Sequence, residues 1–177
     1  MTAYSKQAIL RDGRKVSLRY LGREDFELSL EFYRRQPEEE RVYLRRDVTK
    51  REVIEERIGE IEAGLATVIV ALDGGRIVGD AILFVIDRGW FRKTGEIRLT
   101  VDTEFRGQGL GTLLAREIFA LAVKKKLVKL EIACMETQVG TMLVLEPFGF
   151  VREGVLANFV VDTKGREHDL ILLGMRL

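Results

Sequence analysis

The 177-residue sequence predicts an α/β (α+β) domain, a mixed and mostly antiparallel sheet around a central βαβ unit. Three observations carry this. Asp73-Gly74-Gly75 joins two β-rich runs, residues 67–72 and 76–86, as a hairpin. Asp162-Thr163-Lys164-Gly165 does the same between residues 155–161 and 167–173. Between the hairpins, an alternating strand (96–101) runs through a glycine-rich turn into a helical period (Leu110, Leu113, Leu114, Ile118, Leu121, Ala122) and a further apolar strand (127–135). Strand, helix, strand in that order makes the two strands parallel.

The elements follow in the order β-α-α-β-β-β-α-β-α-β-β. Residues before Leu10 carry little pattern and read as a lead-in. Asp12-Gly13 turns into an alternating strand at residues 16–20. Phe26, Leu30 and Tyr33 mark a first helix that stops near Pro37, and the charged stretch 37–47 reads as a loop or irregular helix. Thr49-Lys50-Arg51-Glu52 has the form of a capping box, followed by Val53, Ile54, Arg57, Ile58 and Ile61 on an amphipathic helix that Gly64 closes. Residues 87–93 form a longer connection in which Trp90 and Phe91 either line a substrate mouth or fold back on the core. In strand 96–101, Ile97, Leu99 and Val101 alternate with Glu96, Arg98 and Thr100. An interior strand should be apolar on both faces, so the polar face is expected to border a cleft; an edge strand with one wet face is the alternative. A short helix at residues 139–145 precedes Pro147 and the last hairpin.

A chain of this length reads as one domain, residues 1–177, with a core of its own. It is 46% hydrophobic and 32% charged, with a net charge of +1, so bulk charge gives no nucleic-acid footprint. Arg45-Arg46 and Lys124-Lys125-Lys126 read as solvated surface, the lysines closing a helix where cations suit the dipole. The single Cys134 excludes an intrachain disulfide and a cysteine metal site, and its apolar surroundings suit an inert buried thiol. No metal is expected. With no signal-peptide pattern and no apolar run of membrane-spanning length, a cytoplasmic setting without membrane contact is the expectation.

The glycine run, Arg106-Gly107-Gln108-Gly109-Leu110-Gly111-Thr112, is the chemical feature of the chain. A helix N-terminus leaves its first N–H groups unpaired and carries the positive end of the dipole, and glycine lets an anion reach them. The Walker pattern fails because no lysine precedes Thr112. The dinucleotide pattern fails because Thr112 or Leu114 stands where its third glycine would be.

The arrangement that holds is Arg-x-x-Gly-x-Gly after Val101-Asp102, with Gly149-Phe150 later. It resembles the GNAT (Gcn5-related N-acetyltransferase) superfamily, whose element order the chain follows from about Val16 to Leu177. The resemblance implies a GNAT fold that binds acetyl-CoA as co-substrate. Gly109, Gly111 and Thr112, with Arg106, Gly107, Gln108 and Leu110 around them, would face the pyrophosphate. Leu99, Thr100 and Val101 would splay from the next parallel strand and hydrogen-bond the pantetheine arm, with the thioester near Thr100 and Val101. Gln138 occupies the position of a family asparagine and offers an amide to pantetheine.

Leu145 stands where many members carry a tyrosine that protonates the leaving thiolate, so that acid is missing. The opening Asp12-Gly13-Arg14-Lys15-Val16 resembles Pat-type protein-lysine acetyltransferases. The tail from Gly165 to Met175 looks more like ribosomal-protein, polyamine or phosphinothricin-type enzymes. Glu96 falls where Pat-type enzymes place a general base, although an ion pair with Arg98 or Lys93 would explain it equally. His168, Tyr33 and Tyr43 are weaker candidates, and Cys134 lacks a histidine partner nearby in sequence for an acetyl-enzyme. The expected function is acetyl transfer to a primary amine of a protein or small molecule by direct attack in a ternary complex, with a homodimer as a possible assembly. The alternative is a non-catalytic acyl-CoA-binding sensor or regulatory module.

Overall fold

The computed structural model describes residues 4–86 and 89–177. Its sheet has eight strands: β1 (Ser5–Ile9), β2 (Lys15–Tyr20), β3 (Ala66–Asp73), β4 (Arg76–Ile86), β5 (Thr94–Val101), β6 (Lys129–Met135), β7 (Val151–Val161) and β8 (Glu167–Arg176). Their spatial order is β1-β2-β3-β4-β5-β6-β8-β7. Every neighbouring pair is antiparallel except β5 and β6. The helices are α1 (Phe26–Arg35), α2 (Glu38–Arg41), α3 (Arg51–Glu62), α4 (Leu110–Lys124) and α5 (Val139–Leu145).

The expected mixed sheet and βαβ unit are present, with two additions. The supposed lead-in is β1, which completes a hairpin with β2 across Asp12-Gly13. Its residues are mostly exposed, so this edge strand left no apolar alternation to read. One turn of helix, α2, forms within the charged stretch after Pro37. The capping box does not form. The Thr49 hydroxyl donates instead to Asp47 Oδ1 at 2.6 Å, and Lys50 occupies the N-cap without a side-chain cap. The hydroxyl is turned toward a carboxylate two residues away, a local side-chain contact that takes the place of the cap. Gly64 does close α3, at φ +72°.

The sheet carries a core on each face. Ile69, Ala71, Ala81, Leu83 and Ile97 pack with Leu110, Leu114, Ile118 and Ala122 of α4 and with Leu145. On the other side Val68, Val70 and Ile82 meet Leu30 and Tyr33 of α1 and Ile54 and Ile58 of α3. β3 is buried at every position except its last because it is covered on both faces.

The connection after β4 begins with two residues, 87 and 88, that lie outside the described part. Trp90 is 98% exposed and Phe91 55%, so these rings meet neither a core nor the cavity described below. The Lys124–Lys126 cluster is exposed at the end of α4, as expected.

Candidate active site

The site begins where two parallel strands part. β5 pairs with β4 from Thr94 to Val101, but with β6 only at Thr94, Gly95 and Glu96. From Ile97 onward the β6 side of β5 is open, so backbone polar groups there have no strand partner. A cavity of ≈ 420 Å³ lies in this opening. Leu99, Thr100 and Val101 line one wall, Ile132, Ala133 and Cys134 of β6 the other, and Gly140, Thr141 and Val144 of α5 close a side.

Arg106, Gly107 and Gly111 bring the cavity to the start of α4. The first backbone bond of that helix is Leu113 N–H to Gly109 C=O at 3.0 Å. The N–H groups of Leu110, Gly111 and Thr112 precede it and have no intrahelical acceptor. Gly109 caps the helix at φ +87° and Gly107 lies at φ +72°, conformations that glycine adopts without strain. A Cβ at Gly107 would meet nothing within 4 Å, so the cradle stands open there. At Gly111 it would stand 3.4 Å from Val144, where α4 and α5 pack. These open N–H groups at a positive helix end suit a diphosphate.

Asp102, 5% exposed, fixes the turn. It accepts from Arg35 Nε of α1 at 3.0 Å, and Phe105 beyond it is buried under the Arg14 guanidinium. Arg106 donates to the Val101 carbonyl at 3.2 Å and forks onto Glu40 of α2 at 2.7 and 2.9 Å, so its side chain ties α2 across the cavity. The side chain of Leu110 is wholly buried in the core, leaving its backbone N–H as the group it offers. Gln108, Gly109 and Thr112 flank the cavity without lining it, and the Gln108 carbonyl is taken by Arg11 N–H at 3.1 Å. Gln138 lines the cavity, and its Oε1 accepts from Met135 N–H at 2.9 Å, which leaves its amide NH₂ for a ligand.

Glu96 sits at the fork, in register with Glu131 of β6, beside the cavity rather than lining it. Its Oε1 is bound by Arg45 Nη1 at 2.8 Å and Arg98 Nε at 3.0 Å. No described group hydrogen-bonds its Oε2. Arg45 also donates to the Ala133 carbonyl of β6 at 3.0 Å, so one guanidinium bridges the parting strands. The reading of Arg45-Arg46 as solvated surface holds only in part: Arg45 is exposed along its side chain, and Arg46 is half-buried. Arg45 reaches into the fork, where burial lowers its pKa from the ordinary value against the pull of Glu96. Arg46 is bound by Glu56 and Glu60 of α3. A loop residue without periodicity gives no sequence sign of such a role; the weak clue was a paired arginine in a stretch with few apolar anchors.

Below Thr100 lies a buried polar group. Asp80 stands opposite Thr100 in the β4–β5 register and accepts from the Tyr33 hydroxyl, which in turn accepts from Arg57 of α3. Asp80, Tyr33 and Arg57 are 3%, 1% and 4% exposed. Burial raises the pKa of Asp80 and Tyr33, with Arg57 opposing both shifts. Tyr33 and Arg57 form the cavity floor. Cys134 is buried in the wall, and burial raises its pKa, as suits an inert thiol. Leu145 faces the core, with no exposed surface.

His168 lies outside this cavity. It borders a second one, of ≈ 390 Å³, between α2 and the β7–β8 turn. Its Nδ1 is 3.0 Å from Glu136 Oε1 and its Nε2 3.2 Å from Asp162 Oδ2. Among the described residues no group of three or more His, Cys, Asp or Glu is placed to hold a metal ion, and no helix is long and apolar enough to cross a membrane.

Residues 24–150 match the model of the Acetyltransferase (GNAT) family. Among curated proteins no sequence matches significantly. The structure of the GNAT domain of S. lividans PAT is similar over 98% of this chain and 97% of that one, with TM-score 0.81 at 16% identity. The ribosomal-protein-alanine N-acetyltransferase from Brucella melitensis is similar over 90% and 99%, with TM-score 0.77 at 22% identity. Spermidine N-acetyltransferase from Vibrio cholerae, solved with CoA and spermine, is similar over 91% and 95%, with TM-score 0.76 at 19% identity. At these identities the likeness is one of fold.

Proposed function

The chain belongs to the GNAT family of acetyltransferases, and on that premise we propose that it moves an acetyl group from acetyl-CoA to a primary amine, on a protein or a small molecule, by direct attack in a ternary complex. The observation that carries this reading is the parting of β5 from β6 after Glu96, which opens a strand edge leading straight to the free N–H groups of α4. An extended pantetheine arm would pair with that edge as an added strand. The diphosphate would take the N–H groups of Leu110, Gly111 and Thr112. The thioester carbonyl would then lie beside Thr100 and Val101, where a backbone N–H can polarise it.

An alkyl amine is mostly ammonium at neutral pH and must lose a proton before it attacks. Glu96 Oε2, with no described partner, is the acceptor for that proton, directly or through water. Arg45 and Arg98 hold the carboxylate in place by its other oxygen. The amine nitrogen bonds to the carbonyl carbon and gives its second proton to solvent, the C–S bond breaks, and sulfur leaves with the electron pair. Leu145 is buried and has no proton to give, so the thiolate is protonated by solvent or by another group.

The same leucine favours a second reading, an acyl-CoA-binding module without catalysis. Mass spectrometry of an amine and lysine-peptide panel after incubation with acetyl-CoA separates the two. The enzyme reading expects one acetyl group gained per acceptor, and a lower rate in Glu96→Gln. Tight acetyl-CoA binding with no acetylated product from any acceptor would leave the binding module.

A further inference from the structure

We propose that the acceptor is a small amine that also bears a carboxylate, a zwitterionic amino acid, and that Arg98 with Arg45 receives the carboxylate. This rests on the acetyl-CoA reading above, because it concerns the other end of the same cavity. Arg98 lies three residues before Val101 on β5, about 10 Å from it at strand spacing and farther from the glycine turn, and so on the acceptor side of the thioester.

The charges that line the cavity are five guanidiniums, of Arg45, Arg46, Arg57, Arg98 and Arg106, and a single carboxylate, Glu40. Glu40 is consumed by Arg106 at the donor end. Arg46 turns to Glu56 and Glu60, and Arg57 to the Tyr33–Asp80 pair beneath the floor. Arg45 and Arg98 are left with one oxygen of Glu96 between them. Glu96 and Glu131, in register with each other, stand at the edge of the cavity without lining it, and Glu131 also acts on Arg45.

Arg98 commits only its Nε to Glu96. Among the described residues its two Nη groups have no hydrogen-bond partner. Its guanidinium lies over Phe84, with Cζ 4.7 Å from the ring centroid, a cation–π contact that steadies the fork. A planar guanidinium with free N–H edges is the group that matches a carboxylate bidentately. Beside it, Glu96 Oε2 offers an acceptor. The free edges therefore form a positive–negative pair that complements an ammonium and a carboxylate on one small molecule. A polyamine would bring a second cation against Arg45 and Arg98, where like charges disfavour binding.

The test is calorimetric titration of the protein saturated with CoA, using the common L-amino acids, their α-amides, spermidine and a lysine peptide, with CoA-thiol release measured in parallel from acetyl-CoA. One or more amino acids should bind, and the matching amide should bind about tenfold or more weakly. Arg98→Gln should remove that discrimination while leaving acetyl-CoA affinity unchanged, and Arg98→Lys should restore part of it. Equal binding of acid and amide, stronger binding of spermidine or the peptide, or no amino acid binding at all would overturn the proposal. Amino-acid binding without thiol release would instead sustain this site and count against catalysis. Failure of acetyl-CoA itself to bind would count against the donor reading.

Discussion

Arg45 binds Glu96 at 2.8 Å at the point where β5 and β6 separate, and the same guanidinium donates to Ala133 on the far strand. The contact joins a loop after α2, the strand that opens the cavity and the strand that walls it. It leaves Glu96 Oε2 as the free end of a carboxylate whose position is fixed. Glu96→Gln keeps the shape and a weaker hydrogen bond to Arg98 but cannot take a proton. Turnover should fall by about 10²-fold or more, with acetyl-CoA affinity unchanged within about twofold. Steady-state kinetics beside a calorimetric titration checks the split. Unchanged kcat would remove Glu96 as the base.

The cradle makes a separate prediction. Gly107 has φ +72° and open space where a Cβ would stand, so a side chain there fits without collision but with backbone strain of about 1 kcal/mol. Gly107→Glu should fold, lose about that much stability, and bind acetyl-CoA at least about tenfold more weakly by placing a carboxylate beside the diphosphate position. Gly107→Ala should share the stability loss and keep most of the affinity. Titration of both variants distinguishes charge from strain.

Beneath the cavity, Tyr33 stands between Asp80 and Arg57, and the side chains of all three are buried. Tyr33→Phe removes the one hydroxyl that satisfies both neighbours. Unfolding in urea should show a loss of about 1–3 kcal/mol with an unchanged slope. A loss below about 0.5 kcal/mol would mean that the surrounding groups re-pair or take up water.

His168 links the β7–β8 turn to the segment before α5. Its pKa is raised above the ordinary histidine value, first by Glu136 and then by Asp162. A raised folded-state pKa stabilises the protein below the ordinary histidine range, and the contribution is lost as pH rises through the shifted value. The Asp162 carboxyl is held well below its usual range, chiefly by the Arg166 backbone N–H, so it stays charged throughout that window. The Tm difference between wild type and His168→Gln should therefore be largest near pH 6 and shrink toward pH 9. A difference independent of pH would contradict this.

The sequence carried the fold well wherever burial imposes a period. The alternation in β5 and the spacing of Leu110, Leu114 and Ile118 each follow from one face meeting a core, and the turn at Gly74-Gly75 from two residues at positive φ. β1 was missed because an exposed edge strand buries too little to leave a pattern. The open glycine turn before α4 was legible for a related reason: glycines at positive φ before a helix leave few alternatives. The charged end of the cavity was not. Arg45, Arg98, Arg57 and Asp80 come from a loop, two strands and a helix, and their meeting depends on how α1–α3 lie across the sheet. A charged residue in a loop looks the same whether it faces water or a cleft. The Thr49 cap failed likewise, because the competing Asp47 lay outside the four residues that define the motif.

The most direct test of the account is residue-resolved amide hydrogen exchange with and without acetyl-CoA. If the opened edge of β5 and the start of α4 hold the donor, added protection should concentrate at residues 97–101 and at Leu110, Gly111 and Thr112. Gly107→Glu should abolish that protection. Protection elsewhere, or binding that leaves those amides unchanged, would contradict the assignment of this cleft to acetyl-CoA.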